Sequence, residues 1–369
     1  MLKLSEPNIS EDIITAVADV LRSGQLVQGE ENLLFEKELA AYLGCKEVIL
    51  VSSGTAALHL ALLALDIGPG DAVLVPDFTF PATASVVSMV GARVVIADVD
   101  RGTYVLSPDQ IERTLDQWQG PERIRALMPV HEFGCSVDMD AVLKIAEKND
   151  LYIVEDAACA LGAVYGTRKL GTFGDLGCFS FHPRKTLTTG EGGAISTGSV
   201  QLAQKIRRLR NHGMEKRHDG MHFFEPGLNY RLTNFQAAMG RLQLKCLDEW
   251  IVVRKKLVEE YRCGLAKLAS RNLIHLPVRT EGHSWQTFMV VLDKGFDRAV
   301  VIDALRQNGV ESNLGAQSLS VLDLYGDQPF LQTVGPELYR CGLALPLFER
   351  MQRSDVKHVC SVLESVLLS

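Results

Sequence analysis

The 369-residue chain contains no uninterrupted apolar run of about 18 residues, so no membrane-spanning helix is expected. Its first residues, MLKLSEPNISEDI, carry acids early and no apolar core, which does not read as a secretory peptide. The eight cysteines form no CxxC pair and lie scattered, mostly in apolar segments. That argues against a disulfide framework or a zinc site and for thiols in a reducing cytoplasm. No GxGxxG and no GxxxxGK[ST] run occurs, so neither a dinucleotide nor an ATP site is suggested. Positive charge is also short: 38 basic against 45 acidic residues leave a net charge of −7, which disfavours nucleic acid or an anionic membrane as partner. Low-complexity tracts and repeats are absent.

What remains is the pattern of a packed α/β protein, with apolar residues at 47% and charged residues at 22%. β-rich runs at 48–52, 72–75, 93–98, 126–130, 152–155, 177–181 and 193–197 alternate with amphipathic stretches. Leu34, Phe35, Leu39, Tyr42 and Leu43 share one helical face, as do Val142, Leu143, Ile145 and Ala146. Such alternation predicts a large domain with a mixed, mostly parallel sheet between helices. A helix from Thr233 to about Cys263 carries the chain onward. A smaller α+β domain follows, with a strand at 288–292, a helix at 298–308 closed by Gly309, and a last helix capped by Ser354. The expected domains are 1–248 and 249–369, with the first dozen residues packing on the smaller one.

Three segments end predicted strands, where ligands bind in open α/β sheets. In VSSGTAALHLALLAL, free backbone N–H groups at a helix start, with the Thr55 hydroxyl, suit a phosphate, although an ordinary capped helix looks the same. In YIVEDAACALGA an apolar strand runs into Glu155 and Asp156, and a carboxylate there needs a partner. Strand alternation turns the two acids to opposite faces, and Asp156 is the one chosen for chemistry. In GCFSFHPRKTLTTGEGG, Lys185 stands among hydroxyls and glycines. Partial desolvation would lower its pKa and free the amine to attack an aldehyde. A surface loop is the blander reading.

A phosphate cradle, then a strand-end Asp, then a Lys is the order of fold-type I pyridoxal-phosphate (PLP) enzymes. The chain resembles the DegT/DnrJ/EryC1/StrS family of PLP-dependent sugar aminotransferases. The segments SSGTAAL, PDFTFPATA, EDAACALGA, SFHPRKTLTTGEGG, RNHG and NYRLTNFQAAMG carry the likeness. The resemblance implies the aspartate-aminotransferase fold, a cofactor cycling between PLP and the pyridoxamine form PMP, and transfer of an amino group from glutamate or glutamine to a keto sugar, nucleotide-linked. It implies Lys185 as the Schiff-base lysine and proton carrier, and Asp156 as partner of the pyridinium nitrogen. Gly54, Thr55 and Ser180 would hold the phosphate, and Phe80 would stack on the ring. Asn229 would reach the cofactor of the neighbouring subunit in a homodimer. Plain core packing would also explain Phe80, and a turn Asn229; His131 and His182 read as structural.

The sequence departs from the family pattern at two places. Cys159 stands where many members carry Gln or His, and a thiol is a weak donor. The segment GVESNLGAQSLSVLDLYG lacks the tyrosine- and histidine-containing pattern usual near the sugar-nucleotide site. Two rival readings are a family dehydratase, disfavoured because Lys185 is intact, and a catalytically idle homologue.

Overall fold

The seven β-rich runs become the seven strands of one sheet in a computed structural model that describes residues 1–326 and 330–368. They are β1 (Glu47–Val51), β2 (Asp71–Pro76), β3 (Arg93–Ala97), β4 (Arg123–Leu127), β5 (Tyr152–Asp156), β6 (Leu176–Ser180) and β7 (Gly193–Thr197). Their order is β1-β7-β6-β5-β4-β2-β3. The strands from β6 to β3 run parallel, while β7 lies antiparallel to both β6 and β1. The largest departure from expectation is β4, which starts and ends three residues early. Its predicted end, Val130, survives as an isolated bridge to Asp156.

Alternation along the strands feeds two apolar layers. Leu50, Leu74, Leu127, Ile153 and Phe179 face one core with Phe35 and Leu39 from the helix Glu30–Leu43. Ile49, Val51, Val73, Val75, Val154 and Cys178 face the other, where the apolar helix Gly54–Ala64 lies.

The long helix expected from Thr233 is two helices, Asn234–Leu244 and Leu247–Ser270, broken at Lys245 and Cys246. The first buries Asn234, Ala237, Ala238 and Gly240, and leaves Phe235 and Met239 partly exposed. The second packs Leu247 and Ile251 on the large core, then turns Leu257, Val258 and Tyr261 into a separate core. That second core holds the strands Phe288–Leu292 and Gly342–Leu345 and the helices Arg298–Gln307 and Arg353–Leu368. The N-terminus joins it: Leu2 N–H donates to Gly309, and Leu4 accepts from Leu347.

All eight cysteines are free. Four are buried, three are partly buried and Cys263 is exposed. Among the described residues no helix is long and apolar enough to cross a membrane, and no cluster of His, Cys, Asp and Glu fits a metal ion.

Candidate active site

Strand β5 presents its last two acids to opposite sides, as alternation requires. Glu155 is fully buried and accepts hydrogen bonds from the N–H groups of Gly171, Phe173 and Gly174 at 2.7, 2.6 and 2.7 Å. His131 Nε2 lies 3.0 Å from the same carboxylate. Both residues are therefore structural: they brace the loop between β5 and β6.

Asp156 is buried on the other face but is less well supplied. Oδ2 accepts from Thr83 Oγ1 at 2.9 Å, and Oδ1 from the Ala158 N–H at 3.1 Å. Thr83 is in turn tied to Thr79, 2.9 Å between hydroxyls. Burial pushes the Asp156 carboxyl above its ordinary pKa, and the N–H of Ala158, the hydroxyl of Thr83 and the charge of Lys185 offset it only in part. A buried acid left short of positive charge is what a protonated ring nitrogen would complete.

Lys185 follows a tight turn after β6, where its N–H donates to His182. Its ammonium reaches Cys159 Sγ at 2.9 Å. The lowered pKa expected from desolvation is not what the site produces. Burial does pull it down, but Cys159, Glu132 and Asp156 outweigh burial, and the pKa is raised. Cys159 keeps its proton as well, because burial pushes its thiol up to about 11.

At the end of β1, Ser53 caps the helix Gly54–Ala64 by accepting from the Ala56 N–H at 3.0 Å. The N–H groups of Gly54 and Thr55 lie in the first turn, where a helix supplies them no carbonyl. A Cβ on Gly54 would stand 2.8 Å from the Ser180 Cβ, so glycine lets this turn close on the end of β6. The result is a cradle of N–H and hydroxyl groups open to an anion. Phe80 is 70% exposed, which rules out plain core packing. It follows Thr79, whose short strand with Phe78 pairs with Gln317–Ser318. Asn229 is exposed, bridged through its backbone to Asn211, in a segment whose Tyr230 carbonyl accepts from the Ser52 N–H at 2.9 Å.

The structure thus gathers Lys185, Asp156 and Cys159 at the carboxyl end of the sheet, with the Gly54–Thr55–Ser180 cradle at the neighbouring strand ends. Glu132, absent from the sequence reading, joins them. The only sequence signal was an acid between His131 and Phe133 just past a strand.

The family model for the DegT/DnrJ/EryC1/StrS aminotransferase family matches residues 7–364. The chain belongs to this family. It is 37% identical over 343 residues to GDP-perosamine synthase of Caulobacter vibrioides, covering 90% of this chain and 89% of that one. DesV of S. venezuelae, solved in complex with a ketimine intermediate, superposes with a TM-score of 0.88 at 35% identity, over 97% of this chain and 94% of that one. A Streptococcus pneumoniae protein described as a sugar aminotransferase gives a TM-score of 0.91 in its PMP form at 27% identity, over 100% and 99% of the two chains. It has also been solved in a PLP form. Family, relatives and fold make this chain a PLP-dependent sugar aminotransferase of fold-type I architecture.

Proposed function

We propose that this sugar aminotransferase acts on a nucleotide-linked keto sugar, with glutamate or glutamine as amino donor, and that it works as a homodimer in the cytoplasm. The observation that carries this reading is the buried Asp156 together with the half-buried Lys185 and Cys159, beside an anion cradle at one sheet edge. When bound, PLP supplies the electron sink for moving an amino group. The chain's residues do the rest. Gly54, Thr55 and the Ser180 hydroxyl would hold the phosphate, Asp156 would keep the ring nitrogen protonated, and the exposed Phe80 would lie against the ring. Lys185 would supply the amine that holds the cofactor and would move the proton. The intact lysine favours amino transfer over dehydration.

The nucleotide link is supported by the relative whose name, GDP-perosamine synthase, is that of a nucleotide-linked sugar product. Sugar specificity is best sought in residues 311–318, which the pairing of Gln317–Ser318 with Phe78–Thr79 fixes next to Phe80. The dimer is supported by the exposed hairpin Met214–Phe223, where Met221, Phe223 and Phe224 stand in the open just before Asn229. We place Asn229 at the neighbouring subunit's phosphate site, and the domain boundary at residue 248. Eight free thiols suit a reducing compartment.

Reloading the protein with PMP and offering nucleotide-linked and free keto sugars tests the reading. Return of the PLP spectrum with a nucleotide-linked keto sugar is the expected result. Return only with free sugars would refute the nucleotide link, and return with none would refute the acceptor class.

A further inference from the structure

Glu132 is 5% exposed, and its carboxyl is served by the backbone N–H of Phe133. Isolated charges are not buried without compensation. The backbone goes to some length to put it there. Phe133 has φ 57° and Gly134 φ 92°, two successive left-handed residues, one of them bulky. The Phe133 ring is locked among Phe78 and Tyr104, with centroids 6.2 and 6.1 Å away. A Cβ on Gly134 would collide with Ser284 Oγ and stand 3.2 Å from the Cys159 carbonyl, so the turn is pressed onto the Cys159 segment. On the other side, the His131 N–H donates to the Asp156 carbonyl at 3.0 Å. The Glu132 backbone is thereby fixed between Asp156 and Cys159, and Cys159 Sγ is 2.9 Å from Lys185 Nζ.

The charged surroundings of Glu132 can be named by element. Lys185 faces it from the loop after β6, Asp156 from the end of β5 and Cys159 from the turn beyond. His131 beside it is spent on Glu155, and His283 from the segment behind Gly134 is held neutral, its pKa pushed down by burial to about 3. Lys185 is the cation on this inventory. Asp156 opposes Glu132, and burial raises the Glu132 pKa to about 7 with Lys185 pulling against it.

We propose that Glu132 is a positioning residue for the Lys185 amine: a second carboxylate that holds the lysine's proton in the site whenever the lysine is free of cofactor. It rests on the reading of Lys185 as the reactive amine. The division of labour follows from charge. A cofactor ring claims Asp156, so a different carboxylate must balance the ammonium each time the lysine is released. Glu132 performs that task without touching substrate. Its negative charge acts through space, favouring the protonated form of the amine over the neutral one.

The test uses the cofactor-free full-length protein and formaldehyde with cyanoborohydride as probe. Methylation of the peptide bearing Lys185 is followed against pH by mass spectrometry, since only the free amine reacts. The expected result is that Glu132→Gln lowers the half-labelling pH by one unit or more, equivalent to about tenfold faster labelling at a fixed lower pH. Glu132→Asp, which keeps the charge, should restore most of the wild-type midpoint. Cys159→Ala should leave the Glu132 dependence in place. An unchanged midpoint in a folded Glu132→Gln protein overturns the proposal, as does a Glu132→Asp midpoint as low as that of Gln. If Gln does not fold, Glu132→Met, neutral and of similar length, takes its place, with the same expected fall and the same refuting outcome of an unchanged midpoint. Because no sugar or cofactor is present, this outcome is separate from borohydride mapping, which tests Lys185 itself.

Discussion

Two adjacent acids, Glu155 and Asp156, should fail in opposite ways when each is changed to its amide. Glu155 accepts three backbone N–H groups within 2.7 Å and faces His131 at 3.0 Å. In Glu155→Gln the new carbonyl can serve Phe173 and Gly174, but the new NH2 then meets the Gly171 N–H. One charge-assisted bond, about 1.5–3 kcal/mol, is lost, and a buried donor is left unpaired at about 1–3 kcal/mol. Together these give about 2.5–6 kcal/mol. With an unfolding entropy of about 2.1 cal/mol/K per residue, the melting temperature of this chain should fall by about 3–8 °C. Asp156 has one donor on each oxygen and sits in a fixed pocket of Thr83 and Ala158. In Asp156→Asn the shape survives and the charge goes. Melting should move little, while amino transfer drops by about 100-fold or more and cofactor affinity, held mainly at the phosphate, drops much less. Calorimetry, single-turnover spectroscopy and cofactor titration on both variants read these effects. A Glu155→Gln protein that melts like wild type, or an Asp156→Asn protein with near-normal turnover, would refute the division between a bracing acid and a chemical one.

Lys185→Ala should abolish turnover while leaving the circular dichroism spectrum unchanged, and borohydride should fix the cofactor of the wild type to the peptide carrying Lys185; label on another lysine sinks the assignment. Mixing inactive Lys185→Ala with inactive Asn229→Asp chains should restore activity, because a mixed dimer carries one site with both defects and one with neither; verified mixed dimers without activity would return Asn229 to its own chain. Asp98 should contribute an acid-sensitive share of stability. Burial raises its pKa, but the N–H groups of Val334, Thr333, Gly335 and Val99 outweigh burial and lower it. A depressed carboxylate stabilises above its unfolded pKa of about 4 and loses that contribution as pH falls through the folded value. Denaturation midpoints of Asp98→Asn should therefore fall less between pH 5 and pH 3 than those of wild type; parallel curves would contradict this.

The seven sheet strands were legible because strands buried on both faces leave short, continuous, β-branched apolar runs bounded by turns. Asp156 and Lys185 stood out because each follows such a run. What escaped notice depends on contacts between distant segments. The two-residue pairing of Phe78–Thr79 with Gln317–Ser318 leaves no periodicity to read. The break at Lys245–Cys246 contains neither proline nor glycine. The direction of the Lys185 shift was misjudged for the same reason: burial can be guessed from flanking residues, but Cys159, Glu132 and Asp156 are remote in sequence and meet the amine only in the fold. Glu132 itself reads as one more loop acid until the left-handed Phe133 turns it inward.

The carboxyl edge of the sheet explains why chemistry and substrate contact are mechanically joined. Strand β2 is followed by Asp77, β3 by Asp98 and β4 by Glu132, and β5 ends in Asp156. Each acid lies where parallel strands deliver side chains to one rim. Two of them, Asp156 and Glu132, face Lys185, and under the proposed function they serve the cofactor end. The other two hold the C-terminal segment. Asp77 accepts from Ser318 Oγ and the Ser320 N–H, both at 2.7 Å, and Asp98 from the N–H groups of Thr333, Val334 and Gly335 at 2.7–3.0 Å. Ser318 and Ser320 adjoin the segment proposed to read the sugar, so its placement is set from the same rim that sets the lysine. Under the proposed function, specificity can then change through the side chains of 311–318 without disturbing Asp156 and Glu132, whereas loss of either anchoring acid should shift substrate binding while the three residues around the amine, Cys159, Glu132 and Asp156, stay in place.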